Sequence, residues 1–410
     1  MNSRLGLVNR LEWIFVIGLF SIPILQRGYD IGVWSNIFII FMNILAILIV
    51  VLKNKGILSK FIWVRISAII TVIITLSFLS ALQPYRFTSS SSSINNLIIL
   101  TDSIIILGLV ANGALEGDKL VKLYDICAKC AIIFLFMQFF VYYSTHVILS
   151  GRVPFLALEV GLSDRSFLAN LGYVRASSFF IEPSYYAQFM APYLALSLYG
   201  YKNIIKKNIV WSIVISISMV LNVSGSSVLL LLIIWGAYVV IQSKSMSHTQ
   251  AISLLALVLL LMVGMMAALR LPGVSAMLEG IFDSSGGKFS GRVTRGFSVF
   301  FELPLFEKLF GIGFKNITNA INYFNLDIVT LSRANEYCNT IATFLLSFGL
   351  IGSCVIAVML YQLTCKKNSS NKIVWITMIS IFCSEEILGF LWLFYMCIGY
   401  AANQVRMDIN

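Results

Sequence analysis

Eleven apolar runs organise this chain: 12–26, 33–52, 61–82, 94–112, 125–149, 184–201, 209–223, 225–242, 250–270, 337–363 and 373–400. A helix that crosses the hydrocarbon core needs about 20 mostly apolar residues, so each run is a candidate span, the first and seventh being short. The last run contains Ser384, Glu385 and Glu386. It reads either as one long helix or as a short hairpin, the second giving twelve spans. The expected fold is an all-α polytopic transmembrane bundle of eleven or twelve spans, one integral membrane domain covering 1–410. Composition agrees: 59% of the residues are hydrophobic and 11% charged, against roughly 25% charged in a soluble domain. Arg4 and Arg10 before the first run resemble a signal peptide, but no small-x-small cleavage site follows. The segment reads as an uncleaved first span.

The lysines set an orientation. Lys53, Lys55 and Lys60 lie between runs two and three, Lys119 and Lys122 between four and five, and Lys202, Lys206 and Lys207 between six and seven. Lys244 follows run eight, and Lys366, Lys367 and Lys372 lie between ten and eleven. If spans alternate, all these loops share one side, which the positive-inside rule makes cytoplasmic, together with the N-terminus. The net charge of +11 is thus a topology signal. No basic stripe with interleaved aromatics exists outside the spans, so nucleic acid is not an expected partner.

The opposite side holds two large loops, 150–183 and 271–336. The other outer connections are short; 83–93, with five serines in a row, reads as a flexible turn. No internal repeat and no inverted pair of broken helices is visible, so the usual pointer to a transporter is missing.

Arginine and lysine are sorted by side. Of sixteen lysines, Lys288, Lys308 and Lys315 fall outside; of thirteen arginines, nine do: Arg27, Arg86, Arg152, Arg165, Arg175, Arg270, Arg292, Arg295 and Arg333. Topology does not ask for arginine outside. Its planar guanidinium binds phosphate or carboxylate bidentately, as lysine cannot. The outer loops therefore read as built to hold an anion. The competing reading pairs these arginines with the loops' own acids: Glu159, Asp164, Glu182, Glu279, Asp283, Glu302, Glu307, Asp327 and Glu336.

Two stretches carry most of this signal. Residues 175–186 read RASSFFIEPSYY. Pro183 suits the first turn of a helix and Glu182 its cap, which turns the positive dipole end of span six toward the loops. Arg175 then holds a phosphate while Glu182 acts as base or orients a guanidinium; alternatively Glu182 caps its helix and pairs with Arg175. Residues 291–303 read GRVTRGFSVFFEL. Arg292, Arg295 and Glu302 fall near one side of a helix and Val293, Phe297 and Phe300 on the other, an amphipathic helix suited to the membrane interface. The stretch 310–314, FGIGF, is a tight turn; a lone GxG is not a nucleotide loop.

Polar residues also sit at the outer mouths of other spans: Asn222 and Ser224 before span eight, Arg333, Asn335 and Glu336 before span ten, and His146 at the end of span five. The Asn-x-Ser/Thr triplets at Asn222 and Asn316 read as chance. Cys127 and Cys130 form a lone CxxC without nearby histidines, so the seven cysteines read as small apolar residues and no metal or cofactor is expected.

Taken together, the layout and three segments resemble the bacterial Wzy-type O-antigen or polysaccharide polymerases over the whole chain. The segments are Arg175 with Phe180, Glu182 and Pro183; the Ser290–Arg295 stretch running on to PLFEKLFGIGF; and the GLIG-like turn at Gly349–Gly352. The resemblance implies an inner-membrane glycosyltransferase fold of the C type and a metal-independent reaction without cofactor. A glycan on undecaprenyl diphosphate moves onto a new lipid-linked repeat unit at the periplasmic face. It implies the lipid-linked oligosaccharide, the bilayer and a chain-length regulator protein as partners. Arg292, Arg295, Arg175, Arg165 and Arg333 would bind the diphosphate, and Glu182, Arg175 and Arg292 would be catalytic, Glu182 as base. The related O-antigen ligases carry a histidine before the next span, where this chain reads SRANEYCN (332–339). Ligase, flippase and scaffold of the same pathway are the alternatives.

Overall fold

The structure, a computed structural model, describes residues 2–25, 34–54, 59–83, 91–153, 156, 167–168, 173–174, 176–222, 224–242, 296–314, 316–326, 338–364, 372–384, 387 and 390–403. Long helices follow the apolar runs. They are α1 (Asn2–Leu25), α2 (Trp34–Asn54), α3 (Lys60–Ala81), α4 (Ser91–Leu109), α5 (Gly117–Thr145), α6 (Pro183–Tyr199), α7 (Ile209–Leu221) and α8 (Gly225–Gln242). After the second loop come two short helices, α9 (Leu305–Phe310) and α10 (Ile317–Phe324), then α11 (Thr340–Thr364), α12 (Lys372–Ser384) and α13 (Phe390–Asn403). Seven of the described helices are long and apolar enough to cross a membrane. The ninth run, 250–270, lies outside the described residues. A two-residue antiparallel pairing, Phe167–Leu168 with Tyr173–Val174, is the only β-structure in the described part of the first loop.

Two helices form the centre. Every residue from Tyr186 to Leu198 of α6 is buried, as is every residue from Leu391 to Asn403 of α13. A helix apolar on all sides is stable only when neighbours surround it. α6 packs against α5, α7, α8 and α12, and α13 against α1, α4, α5, α11 and α12. Phe20, Tyr124, Phe189 and Phe394 join α1, α5, α6 and α13 in one aromatic cluster, Phe189 and Phe394 stacked at 6.0 Å. The Tyr124 hydroxyl donates to the Phe189 carbonyl, so this polar tip is satisfied inside the core.

The bundle has a lysine-rich end and a loop end. At the first, Arg4 donates to the Leu52 carbonyl (2.7 Å), joining the start of α1 to the end of α2. Glu12 of α1, 1% exposed, sits between Lys53 of α2 and Lys119 of α5. Lys119, expected in a loop, lies in the first turn of α5 because these charges and Glu116 satisfy it there. Lys202 pairs with Asp118 at 2.5 Å. Tyr201 donates to Asp118 (3.0 Å) and lies 3.3 Å from the Ala401 carbonyl. Burial first, then the Asp118 carboxylate, pushes the Tyr201 phenol up, so it stays a donor.

The last apolar run is a hairpin. Asn403 donates to the Thr364 carbonyl (2.8 Å), placing the end of α13 beside the end of α11 at the lysine-rich end. At the opposite end Thr340 Oγ1 accepts from Ile387 N (2.7 Å), which places the α12–α13 connection beside the start of α11. Two antiparallel helices therefore occupy the run, and Glu385 and Glu386 lie outside the described residues.

α11 is not one straight rod. Gly349 has φ 63° and ψ −176°, which breaks the helix. Ser353 Oγ reaches the Phe344 carbonyl at 2.9 Å. Residues nine apart in a straight helix are roughly 13 Å apart along the axis, so the two halves fold sharply at this point.

Candidate functional site

Residues 176–183 of the first large loop and 296–314 of the second lie at the loop end, and two buried carboxamides organise the first. Gln138 projects from α5 and is 4% exposed. Its Nε2 donates to the carbonyls of Leu149 (2.9 Å) and Ser178 (3.0 Å), and its Oε1 accepts from Ser178 N (2.8 Å). Ser178 is left-handed (φ 57°), and its hydroxyl donates to the Ala131 carbonyl (2.8 Å). Such a backbone persists only where its surroundings over-determine it. Gly151 presses on the Ser178 carbonyl, where an added Cβ would collide with backbone.

Asn222, between α7 and α8, holds the other side. Its Nδ2 donates to the carbonyls of Pro183 (2.7 Å) and Ala176 (3.3 Å), and its Oδ1 accepts from Ser227 Oγ (2.8 Å). The turn 176–183 is thus clamped between α5 and the α7–α8 connection. Ser177 closes it locally, donating to the Phe180 carbonyl at 2.6 Å. The buried amides and hydroxyls are matched donor to acceptor, the condition for placing polar groups in a core.

Glu182 leads out of this turn into α6. It is the N-cap residue, with Pro183 at the first helical position, as the sequence predicts. Its backbone carbonyl accepts from Tyr185 N (3.1 Å), but its carboxylate makes no cap hydrogen bond. Oε2 instead accepts from Ser184 Oγ at 3.3 Å. The half-buried carboxylate stands at the positive dipole end of a central helix without a side-chain cap hydrogen bond, and Arg175, its alternative partner, lies outside the described residues.

The second loop meets the bundle at the same end. In the helical stretch 296–302, Val299 and Phe300 are buried, Phe297 is half-buried and Glu302 is exposed. The apolar face predicted for the membrane interface packs against protein: Phe300 and Phe297 join Leu303, Ile312, Ala342 and Leu346. Gly296 lies against the start of α11, where a Cβ would come within 3.1 Å of Cys338 Sγ. Farther on, the turn at 311–313 docks on the broken helix: Ile312 N donates to the Leu346 carbonyl (2.8 Å) and Gly313 N to the Ser347 carbonyl (3.2 Å).

The arginines Arg165, Arg175, Arg292, Arg295 and Arg333 lie outside the described residues. Ala176 and Gly296, the residues next to Arg175 and Arg295, are both anchored at the loop end by the contacts above. His146 is also there, exposed at the C-cap of α5 with φ 56°. Among the described residues no three His, Cys, Asp or Glu side chains group as metal ligands do. Sequence reasoning missed Gln138. The available signal was a carboxamide inside an apolar run (FLFMQFFV, 134–141), since polar side chains within spans usually bond across elements. Asn222, which the sequence places at the outer mouth of span eight, is a second clamp.

The fold defines a polytopic all-α membrane protein with its loop segments gathered at the end opposite the lysines. Comparison with protein-family models and with curated protein sequences finds no match.

Proposed function

We propose that this protein is a glycosyltransferase that polymerises a surface polysaccharide, working in the bacterial inner membrane with its loop end in the periplasm. The observation that carries the reading is the placement of Glu182. Its carboxylate stands off the N-cap of the buried helix α6, on a turn clamped by Gln138 and Asn222, at the end where the second loop also enters. The resemblance to Wzy-type polymerases supplies the chemistry, and the arginine excess of the loops agrees with it.

In this reading the donor is a glycan on undecaprenyl diphosphate, and the acceptor is a hydroxyl at the non-reducing end of a lipid-linked repeat unit. The acceptor oxygen bonds to the anomeric carbon as the bond from that carbon to the diphosphate oxygen breaks. Glu182 takes the hydroxyl proton. Charge builds on the leaving diphosphate, and Arg175, Arg292 and Arg295, with Arg165 and Arg333 around them, stabilise it. Arginine suits this role because a fixed fork of donors needs little reorganisation when the charge develops.

The test is a chromosomal deletion read on a glycan gel. The polymerase reading expects lipid A core carrying a single repeat unit in place of a ladder. A ladder of normal length refutes it, and loss of even the single capped unit makes the protein a flippase. Alanine at Arg175 or Arg292, with membrane expression verified, is expected to abolish the ladder. Normal ladders in both variants would overturn the site.

A further inference from the structure

Between the arginine stretch and the turn at 311–313, the second loop presents an apolar edge outward. Phe301 is 70% exposed, Leu305 73% and Phe306 45%, while Val299, Phe300 and Leu303 next to them are buried. Two adjacent phenylalanines thus part company: Phe300 enters the small core against α11 and Phe301 turns away from it. Exposed residues of this size in one short segment mark an interaction surface.

The position of the edge says what it meets. Gly313 lies against Ser80 near the end of α3, and residues 312–313 are hydrogen-bonded to the carbonyls of Leu346 and Ser347. α9 packs on α11 and α3. The edge is therefore held at the level where α3 leaves the bundle. There α3 exposes Phe78 (63%) and its C-cap residue Leu82 (68%), continuing the apolar face that Phe61, Val64 and Ile74 present along this spanning helix. Glu302 and Pro304 are exposed beside the edge, and Lys308 is half-buried. Apolar side chains interleaved with a few polar ones are the composition of a segment lying in the headgroup boundary.

We propose that Phe301, Leu305 and Phe306 are inserted into the lipid leaflet at the loop end, so that the second loop is a membrane-seated segment instead of a free periplasmic one. The occupant of this face is lipid hydrocarbon. The inference does not depend on the proposed reaction. It stands or falls separately, because it concerns where the segment sits and not what it catalyses. Its consequence is that the chain adjoining Arg295 is held at headgroup depth by residues on the far side of the Phe300 core.

The test uses the full chain in lipid nanodiscs, with Phe301→Trp and Phe306→Trp as separate conservative variants. Each added emission is read by difference from the parent protein. Discs made with brominated phosphatidylcholine are expected to abolish the added emission in both variants, while aqueous iodide leaves it unchanged. Quenching by iodide and not by brominated lipid would overturn the proposal by placing the edge in water. Quenching by neither would also overturn it, because the edge would then be covered by protein.

Discussion

Gly311 and Gly349 lie backbone against backbone, and each occupies a conformation with positive φ (86° and 63°). A Cβ on Gly349 would meet the Leu309 carbonyl and the Gly311 amide, and one on Gly311 would meet the Ser347 carbonyl and the Gly349 amide. The contact fastens the second loop to the break in α11. Gly349→Ala is expected to cost on the order of 2–3 kcal/mol, from a φ/ψ region essentially restricted to glycine and from the collision. A thermal melt in detergent checks this. An unchanged midpoint would mean that the break is not fixed by this contact.

The spans were legible because about 20 apolar residues in a row have few other uses. What the sequence hid are places where tertiary contacts override a local pattern. Lys119 reads as a loop residue, yet Glu12, more than a hundred positions away, draws it into α5. The hairpin of α12 and α13 is fixed by Asn403 meeting Thr364 and Ile387 meeting Thr340, pairings that no local pattern shows. Phe297 and Phe300 read correctly as one apolar face, but periodicity does not say whether a face meets lipid or α11. At the site, Glu182 was legible because Pro183 marks a helix start. Gln138 was not, because a single amide in an apolar run carries no partner's name.

The Gln138 clamp gives a local prediction. Gln138→Leu keeps the side chain's bulk but leaves Ser178 N and the carbonyls of Ser178 and Leu149 without their present partner. Each buried group stranded in this way costs about 1–3 kcal/mol. Hydrogen exchange of the amides 176–182 is expected to speed up while the amides of α6 beyond Tyr186 stay protected. Uniform acceleration throughout α6 would show that Gln138 supports the whole bundle and not this turn.

Glu182→Gln separates charge from shape. The amide keeps the side chain's shape and an oxygen for Ser184, and it leaves the Glu182 backbone bond to Tyr185 untouched, so the start of α6 is expected to stay in place. If Glu182 is the base, polymer length in a ladder assay falls sharply at unchanged protein level. A full-length ladder would remove Glu182 from the chemistry and leave it a purely local role.

The buried carboxylate at the lysine-rich end makes a different kind of claim. Glu12→Ala removes the buried anion that Lys53 and Lys119 share, Glu12 being 1% exposed, and leaves them the exposed Glu116. Breaking one partner out of a buried ion cluster costs about 3–5 kcal/mol, whereas replacing all members with apolar residues often costs little. The triple variant Glu12→Leu, Lys53→Met, Lys119→Met is therefore expected to melt higher than Glu12→Ala alone. A triple variant no more stable than the single one would indicate that the lysines have other obligatory partners, the Gly113 carbonyl bonded by Lys53 at 3.0 Å being the first to test.

Asp102 poses the reverse problem. It is half-buried well inside the apolar window 97–114 of α4. Among the described residues no hydrogen bond or ion pair reaches it, although Thr101 and Ser103 on either side satisfy their hydroxyls on the carbonyls of Leu97 and Ile99. A carboxyl at the centre of a spanning helix costs about 2.5–3.5 kcal/mol on insertion scales. Asp102→Leu is accordingly expected to stabilise the protein by about 1–3 kcal/mol in a bilayer, read as a higher melting midpoint in nanodiscs. Destabilisation by the leucine would instead mean that Asp102 holds a partner within the membrane. Asp102→Asn then reports whether that partner needs the charge or just a hydrogen bond.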